Sequence, residues 1–256
     1  MTTYTLDMAH LYQEIMNIYG DRGNIITLVQ RCQWRGIMLH VHPIQPGDSV
    51  TWKDFDLAFF GGGQDSGQSL IADDFLHHQG AKLAHALDNG LVMLAICGGY
   101  QLLGHYFLTH SGERLPGVGV LDIHTVGGKK RMIGNTVIKL DAHHMDASFS
   151  RYLVGFENHS GHTYHGERVT PLGHVVVGSG DNGEDGISGI VYRNTIGCYL
   201  HGSLLPKNPH LADHLLQLAL RRRYGTTAAL QPLDDDLEKH AHQVMLQRLL
   251  RGRATQ

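Results

Sequence analysis

Apolar residues in the first hundred positions form short continuous runs that alternate with longer amphipathic stretches. Runs typical of strands occur at 38–41, 57–60 and 91–96, and the last is apolar throughout, as expected for a strand buried on both faces. Helical spacing predicts helices over 24–36 and 71–89. Strand–helix–strand repetition implies right-handed crossovers. The sequence therefore predicts an α/β fold with a mostly parallel central sheet flanked by helices.

The pattern changes beyond about residue 111, where short predicted strands follow one another without long helices between them. These predicted strands lie at 118–123, 136–140, 153–157, 175–178 and 189–192. A strand at 196–200 and helices at 208–224 and 234–250 complete the chain. Since no repeat or low-complexity linker interrupts it, we predict one domain over 1–225 and a C-terminal helical extension over 226–256.

Composition limits the classes of function. The 21 Lys and Arg residues nearly balance the 24 Asp and Glu residues, which gives no electrostatic reason to expect nucleic acid or an anionic membrane as the main partner. No apolar run approaches the roughly 18 residues of a membrane-spanning helix, and residues 1–10 do not resemble a signal peptide. Three widely spaced cysteines suit a reducing compartment. We expect a cytoplasmic protein without membrane insertion or a nucleic-acid partner.

The sharpest chemical feature follows the apolar run at 91–96. Cys97 comes directly after this run, and Gly98 and Gly99 lead into an apolar helix. This order matches a nucleophile elbow with cysteine in place of serine. Backbone N–H groups at the start of the helix can hold an oxyanion, and their partial positive charge favours a thiolate. Cys97 is the predicted nucleophile, and a buried structural cysteine is the alternative.

A thiolate nucleophile needs a base that is close in space. Among the 20 histidines, His201 directly follows the predicted strand at 196–200, and such folds place catalytic groups at strand ends. The glycine-rich segment 61–63 follows another predicted strand, so Gly62 or Gly63 could supply an oxyanion donor alongside Gly98. This segment lacks both nucleotide-binding fingerprints. We expect neither a metal site nor an ATP-binding loop in this chain.

Several motifs together resemble class I glutamine amidotransferase domains. They are GGGQDS at 61–66, CGGYQLLG at 97–104, GFENH at 155–159 and YLHG at 199–202. They are most similar to the CobB/CobQ-like branch, which includes cobyric acid synthase. Within this branch, YGDRGN at 19–24 and GFENHSG resemble the glutaminase subunits of lipid II isoglutaminyl synthases. The resemblance covers about residues 3–225 and implies a flavodoxin-like fold.

The resemblance also implies a mechanism. Cys97 would attack the side-chain amide of L-glutamine, and His201 would protonate the departing ammonia and then activate water to release glutamate from the thioester. Arg131 would bind the α-carboxylate of glutamine, a role that suits a bidentate guanidinium. The remaining predicted pocket residues are Gln101, Asn158 and His159.

In the lipid II isoglutaminyl synthases, the ammonia passes from the glutaminase subunit to a partner subunit. This partner is a Mur-ligase-like synthetase that uses ATP and Mg²⁺ to amidate D-glutamate of the lipid II stem peptide, which gives D-isoglutamine for peptidoglycan. The resemblance therefore implies a heterodimer in which this chain needs no cofactor of its own and reaches lipid II through its partner.

One departure from the family pattern concerns the acid that orients the histidine. Many class I members have His-Pro-Glu, whereas this chain has His201, Gly202 and Ser203. Either a Cys–His pair suffices or the partner supplies the carboxylate, and we favour the partner. Three other functions stay open: a subunit of another synthase, a stand-alone γ-glutamyl-type cysteine hydrolase, and an inactive scaffold that keeps the fold.

Overall fold

The computed structural model describes residues 4–17, 20–141 and 149–253. In these ranges the strands are β1 (Thr5–Leu11), β2 (Met38–Ile44), β3 (Leu57–Phe60), β4 (Val92–Ile96), β5 (Tyr106–Leu108), β6 (Arg114–Pro116), β7 (Ile123–Leu140), β8 (Tyr152–His165), β9 (Thr170–Val177), β10 (Ile187–Tyr192) and β11 (Thr195–Cys198). The α-helices are α1 (Arg22–Gln33), α2 (Asp65–Asp74), α3 (Ala81–Asp88), α4 (Gly98–Leu102), α5 (Leu204–Lys207), α6 (Pro209–Tyr224) and α7 (Asp236–Arg253). Tyr19 of the YGDRGN motif lies outside the described residues.

All described strands belong to one sheet with the order β2-β1-β3-β4-β11-β10-β9-β7-β5-β6, and β8 pairs with β7. The neighbours from β2 to β11 are parallel, while β11, β10, β9 and β7 follow one another in antiparallel pairs. Every residue of β3 and β4 is buried, which explains why both read as continuous apolar runs. The predicted α/β fold, a mostly parallel sheet flanked by helices, is confirmed.

The parallel part of the sheet determines where the site forms. Because β1, β3, β4 and β11 are neighbours that run in the same direction, the segments that follow them meet at one edge. Among the described residues, these segments are 12–17 with 20–21, 61–63, 97 and 199–201.

Several predicted boundaries differ from the structure, and two of the differences are large. The helix predicted at 71–89 begins earlier, at Asp65, and runs as α2, a π-helical segment at Phe75–Gly80 and α3. Its first turns are largely solvent-facing and polar, so the apolar periodicity starts only at Ile71. The predicted strand at 118–123 is wrong except for Ile123, where β7 begins. Its backbone instead donates hydrogen bonds to carbonyls at the end of the helix α4, from Val118 to Leu102 and from Leu121 to Leu103.

A buried ion pair joins the start of α7 to the rest of the molecule. The Arg31 side chain is 2% exposed and donates hydrogen bonds to the carboxylates of Asp213 and Asp235 at 2.7–2.8 Å. These residues come from α1, α6 and the segment that leads into α7. The division into a domain over 1–225 and an extension over 226–256 stays a prediction. None of the described helices is long and apolar enough to cross a membrane.

Candidate active site

Cys97 occupies a strained turn between β4 and α4. Its backbone has φ +50° and ψ −106°, a combination that non-glycine residues rarely adopt and that often marks a functional position. The turn is crowded, because a Cβ on Gly99 would lie 2.6 Å from the Phe60 carbonyl oxygen and one on Gly98 would lie 2.8 Å from Cε of Met16. The backbone contact excludes a side chain at Gly99, whereas a side chain at Gly98 would require Met16 to move. Cys97 is 6% exposed and borders a cavity.

His201 and Asp21 form a buried pair behind Cys97. Nδ1 of His201 lies 3.2 Å from Oδ1 of Asp21, and both side chains are fully buried. The other carboxylate oxygen of Asp21 accepts a hydrogen bond from the N–H of Gly62 at 2.8 Å. Two backbone hydrogen bonds to Phe156 on β8 fix the main chain of His201. His201 is therefore fixed both through its backbone and through its imidazole ring.

The three side chains meet around Gly62. A Cβ on this glycine would lie 2.6 Å from Cε1 of His201, 3.2 Å from Oδ2 of Asp21 and 3.3 Å from Cβ of Cys97. Cys97 and His201 also interact electrostatically. The arrangement is that of a nucleophile, a base and a carboxylate that orients the base.

Electrostatics favours the charged form of His201. Burial opposes the charge, but the Coulombic interaction with Cys97 and the hydrogen bond with Asp21 outweigh this effect and raise the pKa of His201 to about 10. An imidazolium beside the sulfur is the usual partner of a reactive thiolate.

A cavity of about 320 Å³ opens in front of Cys97, within the size range of small-molecule sites. Six of the residues predicted from the sequence border it or flank it directly. Gly63, Cys97, Gln101, Arg131, Asn158 and His159 line the cavity. Gly98 follows Cys97 at the first position of α4, where the N–H has no intrahelical partner.

Arg131 reaches the cavity from the hairpin of β7 and β8. The pairing register of these strands shifts between Gly127 and Met132, so the residues between them leave the regular ladder. Arg131 is exposed to solvent, and its Nε donates a hydrogen bond to Oδ1 of Asn158. This contact holds the guanidinium at the cavity mouth, where it can meet an anionic group.

Comparison with known proteins gives the family. The model of the CobB/CobQ-like glutamine amidotransferase domain matches residues 7–209. The chain belongs to this family. It is 40% identical to the lipid II isoglutaminyl synthase (glutamine-hydrolyzing) subunit GatD of Streptococcus pneumoniae over 92% of this chain and 88% of that one. It is 39% identical to the subunit of the same name from Staphylococcus aureus over 96% of each chain.

More distant relatives agree with this placement. Cobyric acid synthase of Rhodobacter capsulatus is 31% identical over 77% of this chain and 40% of that protein. A glutamine amidotransferase structure from Thermotoga maritima has the same fold, with a TM-score of 0.55 at 16% identity over 96% of this chain and 98% of that one. The amidotransferase is thus a glutamine-hydrolysing enzyme by family.

The acid missing from the sequence analysis lies within the amidotransferase itself. We favoured a carboxylate from the partner because Ser203 stands where many relatives carry glutamate. The structure instead places Asp21 against His201. Asp21 is separated from His201 by 180 residues, so no local spacing connects the two. Two signals were available: Asp21 lies within the YGDRGN motif, and it follows β1, which ends at the same sheet edge as β11.

The glycine donors can now be distinguished. The N–H of Gly62 already donates to Asp21, so this predicted oxyanion donor is corrected. Its part in the site is to leave room for His201. Gly63, which lines the cavity, and Gly98 are the donors that fit the prediction.

Gln68 is a pocket residue that the sequence analysis missed. It is 2% exposed, lines the cavity and donates from Nε2 to Oε1 of Gln101 at 2.9 Å. Gln101 donates in turn to the hydroxyl of Tyr199, which contacts Thr163 at 2.6 Å. These buried amides and hydroxyls form the polar floor of the cavity. The signal that could have identified Gln68 was its position in the sequence, two residues after the GGGQDS segment and near the start of α2.

His159 lies on β8, which continues beyond the predicted strand end at 157 as far as His165. Its ring stacks on Tyr199 at 3.7 Å between centroids, and Nδ1 lies 2.8 Å from the Gly161 carbonyl oxygen. Burial lowers the pKa of His159 to about 4, so the ring is neutral near pH 7. Glycine at 161 is needed within this strand, because a Cβ there would lie 2.5 Å from Nε2 of Gln101.

Proposed function

We propose that this chain is the glutaminase subunit of a lipid II isoglutaminyl synthase. It hydrolyses L-glutamine, and the ammonia passes to a Mur-ligase-like partner that amidates D-glutamate of the lipid II stem peptide. The observation that carries the hydrolysis is the meeting of Cys97, His201 and Asp21 at the edge of a cavity of amino-acid size. The names of the relatives at 39–40% identity support the acceptor and the partner.

The first half-reaction forms a thioester. The Cys97 thiolate attacks the side-chain carbonyl carbon of glutamine, and the carbonyl oxygen becomes an oxyanion that accepts hydrogen bonds from the N–H groups of Gly63 and Gly98. When the C–N bond breaks, the imidazolium of His201 transfers its proton to the leaving nitrogen, which departs as ammonia. The products of this step are ammonia, a γ-glutamyl thioester and a neutral imidazole.

The second half-reaction releases glutamate. Neutral His201 takes a proton from water, and the hydroxide attacks the thioester carbon. Collapse of this intermediate expels the Cys97 thiolate and gives glutamate, so the enzyme returns to its starting state. Asp21 accepts a hydrogen bond from Nδ1–H of His201 throughout, which keeps the other ring nitrogen directed at the reacting atoms.

Glutamine recognition uses the mouth and the floor of the cavity. We assign the α-carboxylate to Arg131, since a guanidinium can bind it through two hydrogen bonds. Asn158 steadies that guanidinium. Gln68, Gln101 and the neutral ring of His159 supply uncharged polar groups around the rest of the substrate. ATP and Mg²⁺ would act on the partner, where the acceptor carboxylate is activated.

Isotope transfer tests the proposal. The complex of this chain with its Mur-ligase-like partner receives glutamine labelled with ¹⁵N in the amide, ATP, Mg²⁺ and lipid II, and mass spectrometry locates the label. We expect ¹⁵N in the stem peptide. Cys97→Ala should abolish this transfer, while ammonium chloride should restore amidation by the variant complex. Glutamate release without label in lipid II would contradict the proposal and favour a stand-alone hydrolase or another acceptor.

A further inference from the structure

The turn that carries His201 has an unusual backbone. Gly202 and Ser203 both adopt positive φ values, +70° and +52°. A left-handed conformation is unfavourable for a non-glycine residue, so it persists only where surrounding contacts hold it. The contacts that hold Ser203 therefore bear on the position of His201.

Ser203 joins this turn to the loop that carries Asp21. Its hydroxyl donates a hydrogen bond of 2.6 Å to the carbonyl oxygen of Gly20, the residue before Asp21. The approach is so close that a Cβ on Gly23 would lie 2.1 Å from Oγ of Ser203. From the other side, Nζ of Lys207 donates to the carbonyl oxygens of Gly202 and Ser203.

Asp21 is the carboxylate that positions His201, and from this geometry we infer that the Ser203 hydroxyl is a second positioning group, which keeps Asp21 within reach of the imidazole. The arrangement lies wholly within one chain, so the glutaminase needs no carboxylate from its partner. The inference rests on the proposed glutaminase function. It explains why glycine stands at 23, and it gives Ser203 a role at the position where relatives carry an acid.

Within the described part of the chain, few other charged or titratable groups lie close enough to His201 to orient its ring or to change its pKa. Cys97 faces the ring from the elbow, Asp21 from the loop after β1, and His159 from β8. Lys207 on α5 acts on Asp21 through its charge. Of these groups, only Asp21 is an acid in hydrogen-bonding contact with His201 among the described residues.

The test measures kcat/KM for glutamine against pH with Asp21→Asn, Ser203→Ala and Ser203→Gly. Since Asp21 helps to raise the pKa of His201, its loss should move the alkaline limb of the profile to lower pH and reduce the plateau about 100-fold. Ser203→Gly accepts the left-handed backbone without strain, so it removes the hydroxyl and leaves the turn intact. We expect both Ser203 variants to lose about tenfold and to shift the same limb in the same direction.

Asp181→Asn is the matched control. Asp181 is also fully buried and also bonds a histidine and a backbone N–H, those of His165 and Gly189, and it accepts a hydrogen bond from the hydroxyl of Tyr100 on α4. None of these residues lines the cavity. This variant should lower Tm without moving the alkaline limb. An unchanged profile for Asp21→Asn, full activity of Ser203→Gly, or full rescue of Asp21→Asn by the partner would overturn the inference. Absence of glutaminase activity in the wild type would instead overturn the proposed function.

Discussion

Gly62 brings together side chains from three distant parts of the sequence. Cys97, His201 and Asp21 all lie within 3.3 Å of the point where a Cβ on this glycine would be. The absence of a side chain at this position is therefore what allows the reacting groups to meet.

Gly62→Ala should reduce kcat/KM for glutamine about 100-fold or more, because the new methyl group would displace the imidazole and misplacement of about 1 Å has effects of this size. Gly252→Ala is the control, since a Cβ there has open space around it. Steady-state kinetics and circular dichroism together check the prediction. Wild-type kinetics in Gly62→Ala would mean that the imidazole does not act from this position.

Single residues were predictable from sequence where the chemistry sits next to a strong pattern. Cys97 follows an apolar run and precedes two glycines, and His201 follows a strand. Asp21 follows no such pattern, because its role depends on which strands become neighbours in the sheet. Arg131 and Asn158 were predicted only through the family resemblance, and the structure brings both to the cavity.

At the scale of secondary-structure elements, the sequence predicted elements that have a regular apolar pattern. It did not predict segments whose structure depends on long-range contacts. The strands β3 and β4 could be read from their apolar runs. The backbone at 118–122 could not, since it bonds to the end of α4 rather than to a strand. For the same reason β8 extends well beyond the predicted 153–157, because its pairing with β7 stabilises a glycine-containing segment.

The buried ion pair should control how firmly α7 is attached. Asp235→Asn leaves the guanidinium of Arg31 buried with one carboxylate partner, which should lower the free energy of unfolding by on the order of 2 kcal/mol. Asp236→Asn, one residue later and exposed, should change it by only a few tenths, roughly the effect of one charge near a helix start. Urea denaturation compares the two. Equal effects would show that Arg31 does not anchor this segment.

At the scale of the whole molecule, stability should depend on buried histidines. Burial lowers the pKa of both His10 and His159 to about 4 from an ordinary value of 6.5. Because the unfolded chain binds these protons more readily, their contribution to stability is present above about pH 6.5 and is lost as the pH falls towards 4. His201 has the opposite sign, since its pKa is raised, and its contribution is lost as the pH rises towards 10.

The free energy of unfolding should therefore fall between about pH 6.5 and 5, with each buried neutral histidine adding up to about 1.4 kcal/mol per pH unit. His10→Leu should make this decline shallower, as His10 packs edge-on against Phe59 and does not line the active-site cavity. Urea titrations at several pH values measure both slopes. Identical slopes for the wild type and the variant would contradict the lowered pKa of His10.

The whole-molecule account depends on one claim, that Cys97 hydrolyses glutamine in this chain. The most direct test is glutamate release from L-glutamine by the purified chain, compared with Cys97→Ala and with Cys32→Ala, which alters a buried cysteine on α1. We predict release by the wild type and by Cys32→Ala, and background rates for Cys97→Ala. Release that persists in Cys97→Ala would contradict the account.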